Sequence, residues 1–345
     1  MLVLLGIIFA LVSILPFLIK RIEHNLEFFL LAMGLAASIA GGVLSLELLW
    51  EVMTSHLLYL ITAAVLTAGL LFKLLNMAIR RAINAAIVFV PFKILIFGLI
   101  ILLGLGASVI TAIIASLLLV EIVSLLPISR GERIKLSVLA CFSIGLGAAL
   151  TPVGEPLSTI VVSKLHADFW FLFREIGPYI FPCIVGLGCL GAFFVKQGEN
   201  LAEADNPVEE LEEIGETETY ASVSIRALKV FLFIVALELL GAGFKPFIDT
   251  FMVRWDSRVL YWANTASAIL DNATLAAAEI SAKLTAEQIR AILMGLLISG
   301  GMLIPGNIPN IITAGRLKIS SRDWAHLGVP IGLALMAIYF AILYL

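Results

Sequence analysis

Eleven apolar runs succeed one another along this chain, at about 2–19, 26–46, 56–79, 84–104, 107–127, 135–164, 175–195, 226–247, 259–281, 287–314 and 323–345. Most approach the roughly 20 residues that a helix needs to cross the hydrocarbon core of a bilayer. Inside that core every backbone N–H and C=O must find an internal partner, which leaves helices or a closed barrel. Barrel strands would alternate apolar and polar residues over about ten positions. These runs are instead continuous and rich in Leu, Ile, Ala and Gly. The expected fold class is an all-α polytopic membrane protein. Composition agrees, with 61% of the 345 residues hydrophobic and only 14% charged; soluble domains are nearer half apolar and a quarter charged.

One hydrophilic stretch interrupts the pattern. Residues 196–222 hold nine acids and one Lys, which leaves 16 acids against 21 Lys and Arg elsewhere. Such a stretch reads as a solvated acidic linker, a regulatory role being the other reading. The mildly basic remainder suits cations flanking helices at a lipid surface. It offers no concentrated basic patch, so nucleic acid is not expected as a partner. Cys141, Cys183 and Cys189 lie inside apolar runs and read as small apolar side chains, forming neither a disulfide framework nor a metal site. The first run lacks a basic leader and a small-residue cleavage site, and is expected to be a retained anchor.

The most informative pattern is an internal repeat. The string from Gly145 to Pro156 (GLGAALTPVGEP) lines up with that from Ile298 to Pro309 (ISGGMLIPGNIP), pairing Pro152 with Pro305 and Pro156 with Pro309. Upstream, Ser108–Ile113 aligns with Asn264–Ile269; downstream, Lys164-Leu165 pairs with Arg316-Leu317 and Pro178 with Pro330. Proline removes a backbone donor and glycine loosens the chain, so both strings should break their helices. In lipid a broken helix survives only where it faces protein or a watery cavity. Two breaks at matching places therefore point to a midplane binding site, in which freed carbonyls hold cations and half-helix N-termini attract anions. Plain bundle-shaping kinks are the alternative.

The segments ahead of the breaks carry polar residues too. One has Ser108, Thr111, Ser116 and Glu121; the other has Asn264, Thr265, Ser267, Asp271, Asn272, Thr274 and Glu279. An Asp-Asn pair within an apolar run is costly unless it meets a polar cavity or partner.

These strings resemble a known group. Thr151-Pro152-Val153-Gly154-Glu155 is similar to the T-P-I-G-D string of NhaD-type sodium/proton antiporters, and Asp271-Asn272-Ala273-Thr274 to their D-N-x-P/T string. Ser299–Gly306 resembles the glycine-rich broken helix found there and in arsenite and dicarboxylate carriers. All belong to the ion transporter superfamily. Within it the chain resembles a prokaryotic family of unassigned function regarded as cation transporters. The resemblance covers roughly residues 100–345. It implies two inverted repeats, each with a re-entrant hairpin and a broken transmembrane helix, and a homodimer with a fixed scaffold and a moving transport domain in the prokaryotic cytoplasmic membrane. The expected division is 1–80 as scaffold helices, 81–195 as the first transport repeat, 196–222 as the acidic loop and 223–345 as the second repeat. The first-half counterpart of Asp271-Asn272 falls near Ala115-Ser116, where a polar hairpin tip is missing.

Glu155 and Asp271 are the leading candidates, as Na+ ligands and proton carriers. A carboxylate near the midplane can hold either a proton or a cation, since leaving its charge bare there is expensive. Thr151, Ser158, Asn264, Asn272, Thr274, Asn307 and Asn310 supply neutral oxygens suited to a hard cation, and Pro152, Gly154, Gly301 and Pro305 shape the breaks. The alternatives are a helix-capping acid for Glu155 and a hairpin-tip cap for Asp271. Glu121, Glu238 and Glu279 are candidate relay acids or interfacial groups, with Lys93 and Lys245 as possible partners; Lys93 is expected to snorkel. The four His fall near segment ends. The expected function is secondary transport of small inorganic cations by Na+/H+ antiport, with no cofactor beyond those ions. The alternative is Na+-coupled uptake of a small anion. No HExxH helix or Gly-x-Ser-Gly with a His partner occurs, and an enzyme is not expected.

Overall fold

The computed structural model describes residues 1–19, 22, 25–55, 89–197, 219–251, 254–269 and 272–345, with further positions between 58 and 81. Every regular element among the described residues is helical, as the apolar runs require. The helices are α1 (Leu2–Leu18), α2 (Leu26–Ala40), α3 (Leu46–Thr54), α4 (Phe92–Ile110), α5 (Ala112–Leu125), α6 (Arg130–Ala148) and α7 (Pro156–Lys164). They continue with α8 (Phe171–Phe194), α9 (Tyr220–Phe251), α10 (Ser257–Ala263), α11 (Asn272–Glu279), α12 (Ala286–Gly300), α13 (Ile308–Arg316) and α14 (Ser321–Tyr344). Short 3-10 turns cover 264–268 and 304–306. Most of the acidic stretch lies outside the described residues.

Among the described residues, four helices are long and apolar enough to cross a membrane: α4, α8, α14 and the 223–244 portion of α9. Their outer faces carry large apolar side chains, with Leu102 72% and Phe193 76% exposed. A continuous polar backbone sheathed in exposed Leu, Ile and Phe needs lipid around it, so this is a helical membrane protein. With 14 residues, α5 rises only about 21 Å. That is short of the roughly 30 Å hydrocarbon core.

The N-terminal helices α1 and α2 pack with α9. Small residues permit the closest approach: a Cβ on Gly34 would lie 2.7 Å from the Ala236 carbonyl, and one on Gly41 2.8 Å from that of Gly243. At the same seam Ser38 Oγ donates to the Leu239 carbonyl at 2.8 Å. This is how membrane helices associate where no hydrophobic drive separates protein from lipid. Although α9 falls in the range assigned to the second repeat, its main partner is α2.

Two five-helix groups follow, α4–α8 and α10–α14. In the first, α4 does not end at the glycines near 104–106 but runs on to Ile110. Gly104 serves packing instead, because a Cβ on the facing Gly147 of α6 would collide with its carbonyl. The turn into α5 is the single residue Thr111, with φ +78, whose side chain accepts from Ile114 N. Ala115 and Ser116, the sequence counterparts of Asp271-Asn272, sit within a continuous helix, and the chain turns ahead of them at Thr111. Across the groups, α5 packs on α13 and α7 on α11. Cys141 and Cys183 are buried, whereas Cys189 is exposed on the outer face of α8.

Candidate functional site

Both predicted breaks occur, and they repeat one another in backbone detail at a constant spacing of 152 residues. The helix before the break ends at Ala148 in one group and Gly300 in the other. Gly154 and Gly306 each approach the carbonyl of that last residue so closely that a Cβ would clash. The next helices begin at N-caps Glu155 (φ −153, ψ 160) and Asn307 (φ −155, ψ 149). A side chain in the first turn then reaches back to the same freed carbonyl: Ser158 Oγ to Ala148 O at 3.5 Å, and Asn310 Nδ2 to Gly300 O at 2.9 Å. Both short helices close in a left-handed residue, His166 (φ 47) and Lys318 (φ 51). There Ala167 N and Ile319 N return to Val162 O and Ala314 O, each at 2.9 Å, in Schellman-type caps. This register pairs Glu155 with Asn307, so the prolines aligned in the sequence actually fall one position apart.

Each break is tied to the segment ahead of its helix. Thr151 Oγ1 donates to the Ser108 carbonyl, and Ala112 N donates to Gly154 O at 2.8 Å. In the second group Ser299 Oγ donates to the Asn264 carbonyl at 2.7 Å. The two acceptors, Ser108 and Asn264, are the residues aligned in the sequence. Around the second break, a Cβ on Gly300 would lie 3.0 Å from Gly306 O, 3.5 Å from Ser267 Oγ and 3.7 Å from Asn272 Nδ2. Asn310 also donates to Leu303 O at 2.8 Å.

The candidate residues thus fall into two clusters. Thr151, Pro152, Gly154, Glu155 and Ser158 form the first break; Asn264, Asn272, Gly301, Pro305, Asn307 and Asn310 gather at the second. The clusters touch where α6 meets the second break: Gly145 makes room for Asn307, whose Nδ2 would lie 2.5 Å from a Cβ there, and Gly301 packs on the Phe142 ring. Asp271 lies outside the described residues, as does the side chain of Thr274. Glu155 is 5% exposed and, although at the N-cap of α7, makes no side-chain capping bond. The carboxylate therefore meets the positive end of α7 through the helix dipole and not through a capping hydrogen bond. Asn307, by contrast, accepts from Ile308 N at 2.8 Å. Two buried amide oxygens, Asn264 Oδ1 and Asn310 Oδ1, have no hydrogen-bond donor among the described residues. Buried oxygens without donors suit cation coordination.

One feature had no sequence signal beyond a Lys at the end of a short apolar stretch. Lys164, 8% exposed in the last turn of α7, donates to Ala277 O and, at 3.4 Å, to Ile280 O at the C-terminal end of α11. A cation there complements the negative helix end. It also sets α7 and α11 side by side with C-termini together, which brings their N-termini, Glu155 and Asn272, to the same end of the pair. Glu238 of α9 takes a hydrogen bond from Ser163 of α7 beside it; the side chain of Lys245, one of its candidate partners, lies outside the described residues. A cavity of about 700 Å³ opens next to this cluster, lined in part by Glu51, Thr54, Lys164, His166, Glu238 and Lys283. Lys93 is exposed, as snorkelling requires. Of the four His, the described His166 and His326 are exposed. No cluster of three metal-ligating side chains occurs among the described residues.

No curated protein matches the chain. A family model does, over residues 2–345, which takes in the N-terminal helices and both broken-helix groups. The chain belongs to that family, described as protein of unknown function (DUF1646).

Proposed function

We propose that this protein is a secondary active transporter of small inorganic cations, exchanging Na+ for H+ by alternating access. In this reading α4–α8 and α10–α14 are inverted repeats. Each supplies a hairpin, turning at Thr111 in the first and beyond the 264–268 turn in the second, and a broken helix, and the ion sits between the breaks. The supporting observation is the repeated break: carbonyl, glycine, N-cap, side-chain donor and C-cap recur at one spacing in two groups that exchange packing partners. Bundle-shaping kinks would not need the same backbone twice. Two halves that must take turns facing each side of the membrane do. Glu155, buried at the positive end of α7 without capping it, is the carboxylate that trades proton for cation.

The second reading, Na+-coupled uptake of a small anion, draws on α13, whose positive end is capped by the neutral Asn307. The test is flux in liposomes holding a pH dye, with a proton gradient imposed and Na+, Li+ or K+ salts added. Wild type is compared with Glu155→Gln and Asp271→Asn. Cation-dependent collapse of the gradient, lost in either variant, supports exchange. No response to any cation refutes it and directs attention to labelled dicarboxylates and oxyanions.

A further inference from the structure

The two ends of the bundle differ in charge. Ser143 Oγ donates to Ile100 O at 2.8 Å and Gly147 faces Gly104, so α4 and α6 run parallel and begin at one end. Lys196 N donates to Glu132 Oε2 at 2.9 Å, and Arg130 donates to Lys318 O at 3.2 Å. The ends of α8 and α13 therefore lie there too. That end gathers Lys93, Arg130, Arg133, Lys135, Lys196 and Lys318. At the other end α8 and α12 begin side by side, where Arg290 pairs with Glu175 at 2.7 Å. Lys and Arg are fewer there among the described residues, and Arg174 is likewise paired, with Asp168. An excess of Lys and Arg beside membrane-spanning segments marks the cytoplasmic side.

The cavity of about 700 Å³ lies at the less basic end. Its walls are α3 and α9 on one side, and on the other the end of α7 and the segment that follows α11. Residues 165–170 alone separate α7 from the start of α8, and 280–285 alone separate α11 from the start of α12. The broken helix thus starts at the basic end with α6, breaks at 149–155, and ends with α7 in the cavity wall. Glu238 of that wall is half-buried within the apolar span 223–244 of α9. The Lys164 stem crosses α9 at Gly241, where a Cβ would lie 3.3 Å from Cε. Ionisable groups on an apolar span that line a cavity mark it as water-filled and as part of an ion path. Because α7 has only nine residues, Glu155 at its far end is about 14 Å from Lys164.

We infer that the basic end is the cytoplasmic face, and that the cavity at the opposite end is the external mouth of the transport path, a hydrated vestibule for small inorganic cations bound for the breaks. This rests on the transporter reading above. The vestibule is walled by the N-terminal group on one side and by the half-helix pair α7–α11 on the other, so a cation entering it meets the pair that leads to Glu155.

The experiment uses spheroplasts of cells producing the full chain with Cys189→Ser, the remaining Cys141 and Cys183 being buried. Ala282→Cys and Gly131→Cys, at exposed positions on opposite ends, are offered a membrane-impermeant maleimide before and after permeabilisation. Before permeabilisation Ala282→Cys should label about tenfold more than Gly131→Cys, and after it the two should label alike. Uptake of ²²Na+ is then followed in Ala242→Cys, on the α9 wall, with and without an external cationic thiosulfonate. Modification should lower uptake about fivefold or more, while Gly131→Cys treated in the same way changes less than about twofold. Thr54→Cys, on the α3 wall, repeats the measurement, so that a folding defect in one wall variant leaves the other to decide. Labelling of Gly131→Cys in place of Ala282→Cys overturns the inference. So does undiminished uptake in the treated wall variants, which leaves the transporter reading standing. A wild type that carries no cation refutes the transporter reading, and the route through the cavity falls with it.

Discussion

Replacing Asn310 by Ala removes the donor that spans the second break, and the structure sets the size of the effect. Asn310 is fully buried and its Nδ2 serves Gly300 O at 2.9 Å and Leu303 O at 2.8 Å. Leu303 O keeps a second donor, Gly306 N, at 3.3 Å. The variant therefore strands one buried carbonyl, costing about 1–3 kcal/mol, and loses one further net hydrogen bond of about 0.5–1.5 kcal/mol. The expected destabilisation is about 1.5–4.5 kcal/mol, at least about a tenfold shift in the folded-to-unfolded ratio. Ser158→Ala is the internal control. It occupies the same place in the first break, but its bond to Ala148 O is 3.5 Å long, outside the normal range for a hydroxyl donor. Its loss should cost under about 1 kcal/mol. Unfolding in mixed micelles titrated with dodecyl sulfate, followed by tryptophan emission, measures both. Trp324 reports locally, since its Nε1 donates to Gly301 O at 3.3 Å. Asn310→Ala within about 0.5 kcal/mol of wild type, or Ser158→Ala equally costly, would refute the reasoning.

Other perturbations follow the same physics. Gly243→Val drives a side chain into α2, where a Cβ would lie 2.6 Å from Ser38 N; the same titration should show a loss of about 1–3 kcal/mol or more. Gly98→Ala, with nothing within 4 Å of its Cβ, should be neutral or gain about 0.5–1 kcal/mol from helix propensity. Lys164→Met keeps the buried stem but strips the donor from Ala277 and Ile280, so amide hydrogen exchange should speed up across 272–280 while the α2–α9 seam stays protected. At the exposed start of α8, the Arg174 hydrogen bond holds the Asp168 carboxyl below its ordinary value of 3.8. A depressed carboxyl contributes stability above its unfolded value and loses it as pH falls through the folded one. Asp168→Asn should thus lower the unfolding midpoint slightly at neutral pH and converge with wild type in acid.

The elements most legible in the sequence were those fixed by local chemistry. Apolar runs require helices in lipid, and the Thr-Pro-Val-Gly-Glu-Pro and Ile-Pro-Gly-Asn-Ile-Pro strings cannot continue a helix, so both breaks fell where expected. A glycine's role is harder to read where it is nonlocal. The apolar run is bounded at 104, but the helix continues to Ile110, and only the facing Gly147, 43 residues away in sequence, shows Gly104 to be a packing residue. A turn made by one residue, Thr111, leaves almost no trace in composition. The proline alignment was off by one because the N-caps and the reach-back donors, not the prolines, hold the repeat in register. Lys164 was legible as a member of the repeat but its role was not, for its partners lie on α11, more than a hundred residues on.

Identical backbone with different side chains is itself informative. The two half-helices present equal positive ends to the space between the breaks. At α7 that end is flanked by Glu155, Thr151 and Ser158, and at α13 by Asn307 and Asn310. The second group instead carries its acid, Glu279, on the segment ahead of the break, and Asp271 occupies the chain position just before α11. Because α7 packs on α11 with their C-termini joined by Lys164, the buried acids Glu155 and Glu279 fall on one helix pair. Beside the half-buried Glu121, the α5–α13 pair offers hydroxyl, amide and thiol groups, such as Ser116, Thr313 and the Cys141 that contacts it. A fold with two equivalent breaks thus has an off-centre electrostatic focus. The α7–α11 pair holds the buried acids Glu155 and Glu279, whereas the buried polar groups of the α5–α13 pair, Ser116, Asn310 and Thr313, are uncharged.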